Sequence, residues 1–412
     1  MTSVLIIGGG VIGAAAAHYL QKAGSTVTII DRGRFAGACS HANCGLISPS
    51  HVLPLAEPGM LSAGLKAMLN PASPLRIKPR LDWQFLKWLF NFARRCNFED
   101  MVESARGIQP LLDSSRVLYD QLVKEEQLAC EWQTQGCLFV YKTKAALEHF
   151  GATDKLLAEV FHAGSTLIKA HELTDFEPAL KPGLAGGWFH SHDAHLRPDV
   201  LMKSWRAHLE RAGVTIREQC ELQDWIMTDG RVSGARTSQG NYEADQIVVA
   251  TGALTPQLHK LLGVKVPIQP GKGYSMTMPR PPICPTHPML LPEARVAVTP
   301  FETGYRLGSI LELAGYDDTL DPQRVALLKN GAKDYLLEPT AEPVVETWFG
   351  WRPMTPDSRP IIDRAPIADN VWIAAGHNML GLSMAPATGK LVSELVLGKQ
   401  PHVNPRPYRL DR

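Results

Sequence analysis

The sequence predicts an α/β protein built on a parallel sheet, and three observations carry that prediction. Residues 4–7 are four β-favouring apolar residues in a row, the pattern of a strand buried on both faces. Residues 11–23 follow as an alanine-rich helix that Gly24 ends. Residues 25–30 are a second apolar strand, which completes a strand–helix–strand unit.

The turn between the first strand and the helix reads Gly8-Gly9-Gly10-Val11-Ile12-Gly13. In this Gly-x-Gly-x-x-Gly pattern, Gly8 permits the tight turn, Gly10 lets backbone approach a pyrophosphate, and Gly13 lets helix and strand pack closely. The helix start supplies free N–H groups and a positive dipole end to phosphates. Asp31 closes the second strand 18 residues after Gly13, where a carboxylate accepts hydrogen bonds from a ribose. The run from Gly8 to Gly13, with Asp31 and the adjoining Arg32, is therefore the candidate nucleotide site of a Rossmann-like unit.

A single such unit does not need 412 residues, so a second domain or large insertions are expected. Net charge is +1, which argues against a polyanionic partner such as nucleic acid. Seven cysteines are scattered without a Cys-x-x-Cys pair or a matching histidine cluster, so reduced thiols, a cytoplasmic setting and no metal site are expected. The dinucleotide strand begins at residue 4, which leaves no room for a signal peptide, and no apolar run approaches the ~20 residues of a membrane span.

Residues 38–46 form a loop of small residues that includes Ser40, Asn43, Cys44, Gly45 and Leu46. Such a loop admits a flat ligand close to backbone, and a plain surface loop would look alike. Residues 49–80 are rich in proline, and 51–59 fit neither a helix nor a central strand, so the chain is expected to cross into another domain here. Helical spacing returns over 82–127, 145–163 and 198–212, with a strand at 136–141. Strands are expected at 214–216, 222–227, 232–237 and 246–250, with a hairpin turn at Asp229-Gly230. The last of these ends in Thr251-Gly252, small residues where a dinucleotide passes.

Further strands are expected at 273–278, 295–299 and 305–309, and a helix at 324–336. Near the end, a strand at 371–375 leads through Gly376, His377, Leu380, Gly381 and Leu382 into a helix near 385–397, a second loop-to-helix start that points at a ligand. Only one Gly-x-Gly-x-x-Gly is present, which favours one tightly held dinucleotide that is itself the redox centre, namely FAD.

Five segments together resemble FAD-dependent D-amino acid dehydrogenases of the small-subunit type, within the D-amino acid oxidase and glycine oxidase superfamily. They are the opening motif with Asp31, the loop 43–49, the stretch 271–275, the segment 351–357 and the end motif from Gly376-His377 to Ala387-Thr388-Gly389. The resemblance implies a discontinuous FAD-binding domain (1–58, 195–262 and 346–412) and an inserted α+β substrate domain on a mixed sheet (59–194 and 263–345). It implies that Arg352 binds a substrate carboxylate, which suits a planar fork. Hydride would then pass from Cα to the flavin, and the imino acid formed would hydrolyse.

His51, Tyr274 and His377 are candidates to contact substrate or flavin, each with a purely structural reading beside it. Glycine oxidases carry an arginine where Met379 stands and a tyrosine within 296–298, so glycine is put in doubt as substrate; D-proline-like substrates remain. Cys44 stands in place of the family's alanine and Asp363 in place of a glycine. Residues 83–95 concentrate aromatics with Lys87, Arg94 and Arg95, and their spacing admits both a core helix and a helix lying on a membrane. The resemblance favours the membrane and a quinone acceptor, over an oxygen-using oxidase or a non-catalytic flavoprotein subunit.

Overall fold

The computed structural model describes residues 1–68 and 73–412. Its first sheet has six strands in the spatial order Ile361–Arg364, Val371–Ala375, Gln246–Val249, Ser3–Ile7, Thr26–Ile30 and Thr215–Arg217. All neighbours are parallel except the pair at the Ile361–Arg364 edge. The inner strands are apolar on both faces because helices cover one side and a three-stranded sheet the other. In that small sheet, Leu222–Thr228 and Arg231–Thr237 meet through Asp229 (φ 50°) and Gly230 (φ 76°), the positive pair a tight hairpin requires.

The opening helix, Val11–Lys22, packs on the last one, Gly381–Val396, with Ala14 to Ala17 fully buried. A Cβ on Gly389 would strike the backbone of Ala15, so glycine there sets how closely the two helices lie. The last helix begins four residues before the expected 385 and runs through Pro386. Proline removes the N–H that would bond the Leu382 carbonyl, and the Tyr119 hydroxyl donates to that carbonyl instead at 2.8 Å. Sequence periodicity cannot show such a substitute donor.

The second sheet has nine strands. Eight run in the order Glu346–Met354, Gln269–Met278, Tyr305–Leu313, Val296–Pro300, Met289–Leu291, Cys137–Tyr141, Gly186–His190 and Thr166–Lys169, and Leu75–Ile77 joins beside Tyr305–Leu313. Glu346–Met354 begins at the expected boundary at 346. It pairs with Gln269–Met278 over nine residues and so belongs to this sheet, not to the nucleotide sheet. The proline-rich stretch carries no helix or strand over 51–59, as expected, but a helix Met60–Met68 starts directly after Gly59 (φ 89°). Residues 69–72 of that stretch lie outside the described residues.

Helix Trp83–Arg94, capped by Asp82, buries Phe85 and Trp88 against Leu313 and Met354. The Trp88 indole N–H donates to the Met354 carbonyl at 2.9 Å. Trp83 and Phe90 remain exposed, at 79% and 62%. Among the described residues no helix is long and apolar enough to cross a membrane.

Candidate functional site

A cavity of about 1590 Å³ runs from the Gly8–Ile12 turn to the nine-stranded sheet. That exceeds the ~300–1,000 Å³ of a pocket for one small ligand. At its nucleotide end, Gly8 has φ 110°, and a Cβ on it would lie 2.5 Å from the Ala250 carbonyl oxygen. A Cβ on Gly13 would strike the Gly8 carbonyl. Gly10 differs: a Cβ there would meet only Ser40 Oγ, at 3.4 Å, so its backbone faces open cavity. Gly9, Gly13 and Gly376 are packing glycines behind the lining; a Cβ on Gly9 would press on Phe35 and one on Gly376 on Thr355.

The Ala14 N–H is bonded to the Gly10 carbonyl at 2.9 Å, so the N–H groups of Ile12 and Gly13 precede the helical ladder. Ser40 Oγ accepts from the Val11 N–H at 2.9 Å and caps the helix start. Asp31 accepts from the Gly9 N–H and the Gly33 N–H, both at 2.7 Å, which braces the turn. Each carboxylate oxygen keeps a second lone pair, and Asp31 and Arg32 both border the cavity.

The small-residue loop lies between the two sheets, where Ser40, Asn43, Cys44, Gly45 and Leu46 all line the cavity. Three buried side chains of the nine-stranded sheet hold its carbonyls. Ser275 Oγ donates to Ala42 at 2.7 Å, Thr299 Oγ1 to Cys44 at 2.7 Å, and Arg306 Nη1 to Asn43 at 2.8 Å. Asn43 closes the turn by accepting from the Gly45 N–H at 2.9 Å. Burial pushes the Cys44 thiol up, and its sulfur sits where a side chain on Gly308 would have to go. Both facts mark it as a packed, protonated thiol.

At the other end stands Arg352. Its Nη1 donates to the Ile310 carbonyl at 2.8 Å and its Nη2 to Ser309 at 3.2 Å. Those carbonyls turn toward it because Tyr305–Leu313 bulges: Lys272 faces Glu312 while Tyr274 faces Ser309, which leaves Ile310 and Leu311 unmatched. Ser309 (φ 107°) and Ile310 (φ 56°) hold left-handed backbone, an outlier for the β-branched Ile310. Among the described residues Arg352 makes no salt bridge. Burial lowers its pKa, but an arginine stays charged at any ordinary pH. A Cβ on Gly273 would fall on its guanidinium, 2.5 Å from Cζ, so Gly273 makes the space the fork occupies.

Tyr274 borders the cavity, yet its hydroxyl donates to Glu312 Oε2 at 2.8 Å, and its ring packs with Met276 and Met278 beneath the sheet. Strand alternation puts it on the face opposite Gly273 and Ser275. His51 and His377 line the cavity, and burial keeps both imidazoles neutral, with His377 lowered to about 3. His377 Nε2 is 3.1 Å from Thr388 Oγ1. Thr251, Gly252, Leu380, Gly381 and Leu382 line the wall between the two ends.

The chain matches a known family model, described as DAO, FAD dependent oxidoreductase, over residues 3–395. The chain belongs to that family. A D-amino acid dehydrogenase of Chromohalobacter salexigens is 34% identical over 98% of this chain and 97% of that protein. One of Methylobacterium nodulans is 33% identical over 97% and 96%. Glycine oxidase of Geobacillus kaustophilus superposes with a TM-score of 0.81 at 21% identity, over 100% of this chain and 99% of that one, a likeness of fold.

FAD is the cofactor of this family, and the residues fit it. Gly10 presents open backbone beside unladdered N–H groups, Asp31 borders the same end of the cavity with a lone pair free on each oxygen, and a loop pinned by Ser275, Thr299 and Arg306 borders the space leading to Arg352. Sequence reasoning did not single out those three pins, Gly273 as the seat of Arg352, or the Ser309–Ile310 bulge. A β-branched residue at positive φ gives no local signal, and polar residues within buried strands show their use only through long-range partners.

Proposed function

We propose that this FAD dependent oxidoreductase oxidises a D-amino acid at Cα, with Arg352 holding the substrate carboxylate. The observation that carries this reading is the buried Arg352 fork, fixed by two carbonyls and without an acidic partner among the described residues. Two of its five N–H donors are used, which leaves bidentate capacity for a carboxylate. When bound, FAD supplies the two-electron acceptor for the hydride. Gly8, Gly10, Val11, Ile12, Asp31, Arg32, the 40–46 loop, Thr251-Gly252 and the 377–382 loop are assigned to holding it.

Substrate would enter from the nine-stranded sheet, whose face carries Arg352 and Gly273. His51, kept neutral by burial, lines the cavity and is assigned to contact the substrate. Tyr274 is assigned a positioning role, because its hydroxyl is committed to Glu312. Anchoring the carboxylate at Arg352 would fix which Cα bond is presented to the bound cofactor, in a cavity whose wall is largely apolar.

We further assign the electron acceptor as a quinone, reached through contact with a membrane surface. Trp83, Leu86 and Phe90, at helical spacing on one side of Trp83–Arg94, are exposed beside the exposed Lys87, and Leu61, Leu65 and Leu81 are exposed as well, which supports this assignment.

The decisive experiment is anaerobic mixing of purified enzyme with a D-amino acid panel that includes D-proline and hydroxy-D-proline, followed by flavin absorbance. Rapid bleaching with a D- but not an L-enantiomer supports the reading; an unreduced flavin across the panel refutes it. Re-oxidation by a quinone analogue much faster than by air supports the acceptor, and stoichiometric peroxide at comparable rate overturns it.

A further inference from the structure

Away from the cavity, three side chains converge beside the outer end of the helix that opens the chain. His18 lies on Val11–Lys22, Glu126 caps the C-terminus of Phe98–Glu125, and His208 lies in the last turn of Pro198–Arg211. One donor atom from each falls within 4.8 Å of the others. His18 Nε2 is 3.8 Å from Glu126 Oε1, and His208 Nε2 is 3.7 Å from Glu126 Oε2. Both separations are too long for hydrogen bonds. Two ligands on one zinc, each bound at about 2.1 Å, stand roughly 3.4–3.8 Å apart for angles from tetrahedral to somewhat wider.

His18 gives the second, independent sign. The residue is 3% exposed, and its buried Nδ1 has no hydrogen-bond partner. Its Nε2, aimed at Glu126, makes no hydrogen bond among the described residues either. A buried imidazole nitrogen without a partner is unusual, and the same ring points its other nitrogen at a carboxylate that a second imidazole also addresses.

We propose that His18, Glu126 and His208 form a binding site for a divalent cation of the zinc class, which clamps the dinucleotide helix to the ends of two neighbouring helices. Two imidazoles and one carboxylate favour zinc, nickel or copper over magnesium and calcium, which prefer all-oxygen shells. Glu126 and His208 are 19% and 16% exposed, so the ion enters from solvent and keeps a water at its remaining position. Lys22 is the resident competitor: its Nζ lies 3.1 Å from Glu126 Oε1 and equally 3.1 Å from Glu125 Oε2. It can stay on Glu125 while the ion takes Glu126.

The test is titration of the FAD-loaded enzyme with zinc chloride by calorimetry, with the thermal unfolding midpoint followed in parallel. The wild type is expected to bind one zinc per chain, and its midpoint is expected to rise with zinc but not with magnesium or calcium. Glu126→Gln and His208→Ala, both nearer the surface than His18 and so compatible with folding, should each weaken that binding at least about tenfold, since even partners of metal ligands are worth that much. Lys22→Met should tighten it. Absence of zinc binding to the wild type, or equal affinity and equal midpoint shift in both ligand variants, overturns the proposal.

Discussion

At the scale of single residues, the site is decided by how Arg352 is seated. Its fork is held from one side by the Ser309 and Ile310 carbonyls and passes over Gly273, where even one methyl would collide with Cζ. Gly273→Ala is expected to displace the guanidinium without removing it, and misplacement on the order of 1 Å costs about 10²-fold in kcat/KM. The measurement is steady-state kinetics with FAD content as control. An alanine variant with wild-type kcat and KM would show that the fork tolerates the shift. Arg352→Met should cost about 2–5 kcal/mol of transition-state binding with FAD retained, because it deletes one partner of a buried charge pair. Unchanged flavin-reduction rate and saturation would reassign Arg352 to structure. Arg352→Lys is not expected to rescue, since an ammonium cannot span two carbonyls and a carboxylate in one plane.

Among the elements, helix Trp83–Arg94 separates what patterning can tell from what it cannot. Its aromatics lie on more than one face, so spacing alone admitted both core and membrane readings. Packing divides them: Phe85 and Trp88 point inward, with Trp88 stacked on Phe92 at 5.2 Å, while Trp83 and Phe90 point outward. Trp88→Ala should therefore destabilise the fold by about 3–5 kcal/mol, measured by chemical denaturation. Trp83→Glu with Phe90→Glu should leave stability and dye-linked activity intact but reduce sedimentation with anionic liposomes. Equal liposome binding by this double variant would remove the membrane assignment. The opening unit was legible because its glycines, strand and helix are adjacent in sequence and each has one local reason to be there. Arg352 was singled out by its flanking segment, and the fold puts it in the cavity wall. The bulge that aims it, the pins Ser275, Thr299 and Arg306, and the trio His18, Glu126 and His208 were not, because each depends on segments brought together over long distances in the chain.

For the whole molecule, burial of histidine predicts a lopsided response to acid. His377 is lowered to about 3, and His18, His190 and His195 each to about 4, chiefly by desolvation. In the unfolded chain the same groups titrate near about 6.5. Between those values the unfolded state binds protons that the folded state refuses, so stability is fully present above about pH 6.5 and is lost as pH falls towards 4. Asp193 works in the opposite sense. Burial raises its carboxyl to about 7 despite two hydrogen bonds from Ser50, so the folded state holds a proton there that the unfolded chain releases. With four imidazoles opposing one carboxyl, the net slope is positive. The unfolding midpoint should fall steadily from pH 6.5 to 4.5. His195→Gln, whose side-chain amide can still donate to the Pro300 carbonyl that now lies 2.9 Å from Nε2, should flatten that fall. A wild-type midpoint that holds steady or rises over this interval would mean that these imidazoles are charged in the folded protein, and Asp193 would then set the acid response.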